Sequence, residues 1–325
     1  MVTWGQFKGT ANEWDQELRS LNGGLYQTYG WGEVRRVSGW EPLRLVAMSN
    51  ECVIGLASVL VKRKAGFAIC WVPDGPVVST DLLNTEFRRD LSLILRTRFV
   101  YCRTSFLRRD TEKEASTLLK IGWRRPANCM SSGLTMLYDL FGDQDLRLQK
   151  TSGNWRHNLK RSSRYSLSIE HWKSPDAEQI SELFREMEKL KSLPVQHPLA
   201  ELEAIIRHLK DQVVIFRCLS AEGDLLAIRA AGVFGDRAWD LLAASGAAAR
   251  KLYATHATLW ALLDWCQQSN LKYYDLSGVD PIGNKGVYDF KHGTGASLVE
   301  CLGEWEWASF PGLRYLVNWL ISRKQ

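Results

Sequence analysis

One order of elements occurs twice along the chain, and that repetition narrows the fold more than any other feature. In the first half, Pro42–Ser49 and Val53–Lys62 read as strands paired across a short turn, with Phe67–Val72 as a third. A helix over Leu82–Arg98 and a strand over Val100–Thr104 follow. In the second half, Val213–Leu219, Leu225–Phe234 and Ala238–Ala244 are three strand-like runs divided by the turns AEGD and GDRA. Again a helix, Tyr253–Gln268, and a strand, Lys272–Leu276, come next. Helices precede each triplet: Asn12–Leu21 and Tyr29–Val37 in the first half, and in the second Leu199–Leu209 and a helix carrying Ile180, Leu183, Phe184, Met187 and Leu190. Glu112–Ile121 and a closing strand, Thr135–Asp139, end the first half. The second opens on the basic helix Trp155–Arg164 and the strand Leu167–Trp172, and ends on a late strand, Val299–Trp307, and a helix, Pro311–Arg323.

This α+β (mixed α/β) order resembles the acyl-CoA N-acyltransferase, or GNAT-like, fold in tandem. The resemblance implies two domains, 1–145 and 146–325, with a groove between them. The polar run Phe141–Gly153 reads as the linker.

The 325 residues, 45% hydrophobic and 24% charged, suit a globular chain with a substantial core. No run approaches the ~20 apolar residues of a membrane span, and the N-terminus lacks an apolar signal-peptide core. The expectation is a cytoplasmic protein without stable membrane insertion, with a peripheral place at the inner face of the membrane left open. The seven cysteines are scattered and show no zinc-ligand spacing. P-loop, H-E-x-x-H and G-x-S-x-G motifs are absent, so metal, nucleotide-hydrolysis and serine-triad chemistry lack support.

The net charge of +6 is unevenly placed. Arg156, Lys160 and Arg164 recur every four residues, with Arg161 beside them and no acid in the run. One helical face of this kind suits a sugar-phosphate backbone or a diphosphate sugar; a solvated face is the plainer reading. Arg35 and Arg36 follow a helix bearing Trp31, and forked guanidiniums suit diphosphate oxygens. Lys291 lies between Phe290 and His292 in an irregular, glycine-bearing stretch. A fixed ammonium there could stabilise an oxyanion as its charge develops, or simply snorkel from a strand edge. His256 and His292 stand as lone histidines, a class more often structural than catalytic.

Four stretches in order resemble the Fem family of aminoacyl-tRNA-dependent peptidoglycan aminoacyltransferases. They are QTYGWGEVRR (Gln27–Arg36), PDGPV (Pro73–Val77), NWRHNLKRSSRYSLSIE (Asn154–Glu170), and YDLSGV followed by GVYDFKHGTGA and ECLGEWEW. The resemblance implies transfer of an amino acid from its tRNA to an amine of a nucleotide- or lipid-linked muropeptide precursor, with no cofactor beyond aminoacyl-tRNA as co-substrate. It assigns Phe290 and Lys291 to the aminoacyl end of the tRNA and to transition-state stabilisation, and Asp81 to the acidic place after the Gly-Pro turn. Trp31, Arg35, Arg36, Trp71, Gly75, His197 and Tyr253 take substrate-binding places, His197 where the family carries Arg. Arg156, Lys160, Arg161 and Arg164 take the tRNA.

Two other functions fit the same residues. A CoA- or carrier-dependent N-acyltransferase acting on a sugar precursor would use the SGAAARKLYATH stretch as its phosphate cradle, although the usual glycine spacing is missing there. A non-catalytic member would bind RNA or precursor and stop.

Overall fold

The computed structural model describes residues 2–192, 194–195 and 197–323. They form two compact units, one from residues up to 134 together with those from 300 onward, the other from 135 to 299.

In chain order the first stretch gives β1 (Thr3–Gln6), α1 (Ala11–Ser20), α2 (Tyr29–Val34), β2 (Glu41–Ser49), β3 (Cys52–Lys64), β4 (Phe67–Pro73), α3 (Thr85–Leu95), β5 (Phe99–Arg109) and α4 (Glu112–Lys120). The middle gives β6 (Leu134–Asp139), α5 (Gln144–Lys150), α6 (Gly153–Ser162), β7 (Ser168–His171), α7 (Ala177–Lys191) and α8 (Leu199–Leu209). Then come β8 (Val213–Leu219), β9 (Leu225–Phe234), β10 (Arg237–Ser245), α9 (Ala247–Lys251), α10 (Ala254–Gln268) and β11 (Tyr273–Gly278). The chain ends with α11 (Lys285–His292), β12 (Ser297–Ala308) and α12 (Pro311–Ser322).

The first unit's sheet runs β1-β2-β3-β4-β5-β12, antiparallel except for the parallel pair β4/β5. The second runs β6-β11-β10-β9-β8-β7, antiparallel except for β10/β11. Each unit thus has a meander, a crossover helix and a parallel strand, as the repeated rhythm implies. The edge after that parallel strand is exchanged. The strand closing the first half, β6, pairs with β11 of the second unit, and the late strand β12 pairs with β5 of the first. Alternating polarity specifies a strand's faces but not which sheet edge it joins, so no local pattern could have placed either one.

Helix α3 shows why the elements form where they do. Asn84 caps it by accepting from the Glu86 and Phe87 N–H groups, and Arg96 stops it in the left-handed region at φ 54°. Phe87, Leu91 and Leu95, four apart, are buried in the core with Leu45, Val59, Val100 and Trp305. Truncating a buried leucine such as Leu91 to alanine would cost about 2–5 kcal/mol. In the second unit α10 buries Leu259, Leu262, Leu263 and Cys266.

The run read as a linker contains α5, capped by Asp143. Its Arg147, only 1% exposed, is ion-paired to Asp264 of α10. An amphipathic seven-residue helix with one buried arginine looks polar in sequence because its anchor is a charge. Among the described residues no helix is long and apolar enough to cross a membrane.

Candidate functional site

Lys291 is not in an irregular loop. Asn284 accepts from Val287 N and opens α11, which carries Phe290 and Lys291 in its last turn. The lysine is only 8% exposed, and its Nζ donates to Ser277 O at 3.3 Å and Gly278 O at 2.9 Å. Those carbonyls are aimed by the end of β11. Ser277 has φ 63°, a region costly for a residue with a side chain, and it marks a bulge in the pairing with β6. Two bonds hold the strain: Ser277 N donates to Asp275 Oδ1 at 2.7 Å, and Ser277 Oγ to the Asp240 carbonyl at 2.8 Å. Thr135 Oγ1 also donates to Asp275.

Behind this bulge sits a buried polar framework. Arg229 grips Asp240 with two bonds, 2.9 and 2.5 Å, and the Tyr274 hydroxyl donates to the same carboxylate at 3.0 Å. The Arg229 guanidinium lies 5.6 Å from the Phe290 ring centroid. Burial pushes the Lys291 ammonium below its ordinary pKa and outweighs the attraction of Asp240; Arg229 pushes the same way, and Asp275 opposes it. Burial likewise raises the Asp275 carboxyl. An ammonium has three N–H groups. Two are engaged by carbonyls, which leaves one for an oxygen carrying charge.

The parallel strands part at this point. β10 and β11 are in register only from Arg237↔Tyr273 to Trp239↔Asp275, and β10 then bulges between Asp240 and Leu242. In the first unit the parallel pair stays closed through seven positions, from Phe67↔Phe99 to Pro73↔Ser105. At that opening Asp240 O and Ser277 N are engaged by side chains, and Ser277 O and Gly278 O by Lys291.

An aromatic chain extends from Phe290. Its ring is 6.2 Å from Trp155 and 5.0 Å from His256, and His256 is 5.2 Å from Trp155 and 6.1 Å from Tyr253. Arg161 of α6 stacks over Tyr253 at 4.6 Å. The fold therefore gathers Lys291, Phe290, Tyr253 and Arg161. Burial depresses His256 to about 4, so its imidazole is neutral. Arg156 and Lys160 are exposed on α6. The helix ends at Ser162, so Arg164 lies in the turn beyond it and does not extend the face. His197 packs edge-on against Phe184 at 4.9 Å, with Nδ1 3.4 Å from Glu201.

In the first unit, Trp31 heads α2, which Thr28 caps. Arg35 lies 5.9 Å from the Trp31 ring. Arg36 pairs with Glu33 at 2.6 Å, and Glu33 also holds Arg44 at 2.7 Å. Gly75 abuts Gln27, whose amide donates to Pro73 O and accepts from Ser58 N. Trp71 is half-buried on β4 just before this turn. Asp81 is exposed in a short turn and accepts from Ser79 Oγ.

The N-terminus of α9, where a CoA-dependent relative would seat pyrophosphate, already holds a carboxylate. Glu186 of α7 accepts from Ala247 N at 2.8 Å, and a side chain at Gly246 would meet its Oε2. Among the described residues no group of three His, Cys, Asp or Glu could hold a metal ion.

Residues 163–320 match the FemAB family. That stretch, just under half of the chain, is similar to the FemAB family. The match includes Lys291, Phe290, Tyr253 and the whole Arg229–Asp240 framework; it starts after Trp31, Arg35 and Arg161. No curated protein matches the chain in sequence. Among solved structures it is similar to FemX, at 16% identity and a TM-score of 0.83, with 97% of this chain and 100% of that one covered. A tandem GNAT protein from the clavulanic acid biosynthesis pathway matches at 12% identity and a TM-score of 0.60, covering 96% and 99%. L-PGS from Bacillus licheniformis matches at 13% and 0.58, covering 96% and 97%. These likenesses show the fold: mixed α/β, of the tandem GNAT-like kind.

The FemAB-family reading of the sequence passed over Arg229, Asp240, Tyr274, Asp275 and Glu186. One signal was there. Arg229 interrupts the run Leu225–Phe234, otherwise apolar, and a charge inside a strand that is buried on both faces needs a partner nearby.

Proposed function

We propose that the protein moves an aminoacyl group from aminoacyl-tRNA to an amine of a nucleotide- or lipid-linked muropeptide precursor. The observation carrying this reading is Lys291, a buried ammonium fixed by two carbonyls where β10 and β11 part. The acceptor amine attacks the ester carbonyl, a C–N bond forms, and the carbonyl oxygen takes the electron pair. Lys291 holds that oxyanion. Collapse breaks the ester C–O bond, the ribose oxygen leaves with a proton, and the amine loses one. Charge on the oxygen is greatest in the transition state, so the lysine acts on kcat. His256, neutral and shielded, belongs to the aromatic chain that backs Phe290.

Two further features favour an RNA donor. The exposed Arg156 and Lys160 on α6, with Arg161 beside the aromatic chain, suit a phosphate backbone. Glu186 at the start of α9 repels a CoA pyrophosphate from the place such relatives use. No cofactor is required beyond aminoacyl-tRNA itself.

Purified protein, a charged tRNA pool and a UDP-linked muropeptide should yield an acceptor heavier by one aminoacyl residue, read by mass spectrometry. Acylation from acetyl-CoA with none from aminoacyl-tRNA would overturn this in favour of a CoA-dependent enzyme.

A further inference from the structure

Helix α12 has two apolar faces and uses only one of them for the core. Leu313, Val317 and Ile321, four apart, pack on Tyr101, Phe67 and Ile69 of β4 and β5. Outside that contact, Tyr315 is 67% exposed, Leu316 49%, Trp319 49% and Leu320 44%. At about 100° per residue these four form one contiguous arc, running from Tyr315 and Trp319 behind Val317 round through Leu316 to Leu320 at the border of the buried stripe. Scattered exposed hydrophobics need no explanation, but four large ones on a single helix face do.

The segment's own charges have one sign. From Ser309 to Arg323 the sequence contains no acid. Arg323 stacks on Trp319 at 3.8 Å, closing one end. At the other end Arg98 lies over Phe99 at 5.2 Å, and Phe99 meets Phe310 edge-on at 6.0 Å. Arg314, beside Tyr315 at 5.3 Å, is balanced by Glu306 at 3.6 Å. Arg98 and Arg323 thus flank the patch with exposed aromatics between them. Trp and Tyr prefer the headgroup level of a bilayer, and guanidiniums there meet anionic lipid.

We propose that α12 docks the protein reversibly on an anionic lipid surface through Tyr315, Leu316, Trp319 and Leu320, with Arg323 and Arg98 on the headgroups. This stands apart from the proposed reaction, since it uses none of the site residues. A second copy of the chain fits less well. A 12-residue helix is about 18 Å long, and one such face falls far short of the ~800 Å² per partner of a stable interface. A two-fold contact would also bring the flanking arginines of the two copies together.

The test is co-sedimentation of the full chain with vesicles of phosphatidylcholine alone or mixed with phosphatidylglycerol, at low and high salt. Retention is expected only with phosphatidylglycerol, falling with salt, and at least about tenfold weaker in Trp319→Ser/Leu320→Ser. Arg323→Gln should weaken it a few-fold. Both substitutions lie on the exposed face, and an unchanged melting temperature confirms an intact fold. Absence of retention at low salt, equal retention on neutral vesicles, or equal retention by the folded double variant would each overturn the proposal. So would a wild-type dimer in solution that the double variant abolishes, which would assign the face to a second copy.

Discussion

The buried amide of Gln27 occupies the space that a side chain at Gly75 would need: a Cβ built on Gly75 lies 2.5 Å from Gln27 Cδ. The amide cannot swing aside cheaply, because it donates to Pro73 O at 2.6 Å and accepts from Ser58 N at 2.7 Å. Two stretches of sequence that look like separate motifs, the glutamine before Trp31 and the Gly-Pro turn, are one contact.

Gly75→Ala should therefore destabilise by about 1–3 kcal/mol through overpacking. Gln27→Ala should cost a similar amount by leaving the Ser58 N–H and the Pro73 carbonyl unpaired. The double variant should lose clearly less than the sum, since alanine at 27 makes the room alanine at 75 needs. Urea denaturation of all four proteins measures this. Strict additivity would mean the two residues do not meet.

Lys291→Met should lower kcat by about 10²–10³, with a smaller change in KM. It should also melt earlier, because two carbonyls lose their donor, each worth roughly 1 kcal/mol. Activity measured well below the variant's melting temperature separates the two effects. Full turnover in a folded variant would restrict Lys291 to holding the Ser277 bulge.

The pH dependence of kcat carries a second signature of that lysine. The stabilising species is the ammonium, present below its pKa and lost above it. Burial lowers that pKa, so the alkaline fall in rate should have its midpoint below the 10.5 of an ordinary lysine. Aminoacyl transfer followed across pH, corrected for spontaneous ester hydrolysis, gives the midpoint. A rate still rising at pH 10.5 would contradict the cationic role.

Arg229→Met should destabilise by about 3–5 kcal/mol, because Asp240 is left charged and buried without its partner. Arg229→Met/Asp240→Leu should recover most of that loss while leaving kcat low, since Phe290 loses the guanidinium beside it and the Tyr274 hydroxyl loses its acceptor. Calorimetry and turnover on both variants check the split.

His256 should make the protein acid-sensitive over a defined window. Its folded pKa of about 4 lies below the unfolded 6.5, so between these values the unfolded chain binds the extra proton. Stability should fall as pH drops from 6.5 towards 4, by up to about 3 kcal/mol, and then level off for this group. His256→Phe keeps the tilted and edge-on ring contacts with Trp155 and Phe290 and cannot titrate. Its stability should be flatter over that window, as thermal melts at half-unit pH steps would reveal.

Much of this was legible along the chain. The strand triplets and their turns stand where apolar alternation and glycine-bearing turns place them. The basic run on α6 and the Phe290–Lys291 pair are visible as residue types. Helix ends moved by a few residues, and α11 escaped notice because its signal is a single cap, Asn284, in a stretch rich in glycine. Leu190, placed on the buried stripe of α7, is 58% exposed because the helix's last turn outruns the core it covers.

What the sequence determined by itself is the set of elements and the faces they bury, because helical and strand periodicities are local and each residue's polarity declares its side. What only the tertiary structure decided is which partners those elements find. That β6 joins β11 and β12 joins β5 depends on pairings between residues far apart in the chain, which no period encodes. The state of Lys291 was decided in the same way. Its burial, its two carbonyl partners and its lowered pKa come from Ser277, Gly278, Arg229 and Asp240, which lie 13 to 62 positions earlier. A charge takes its properties from the dielectric and the dipoles around it, and those exist only once the strands have come together.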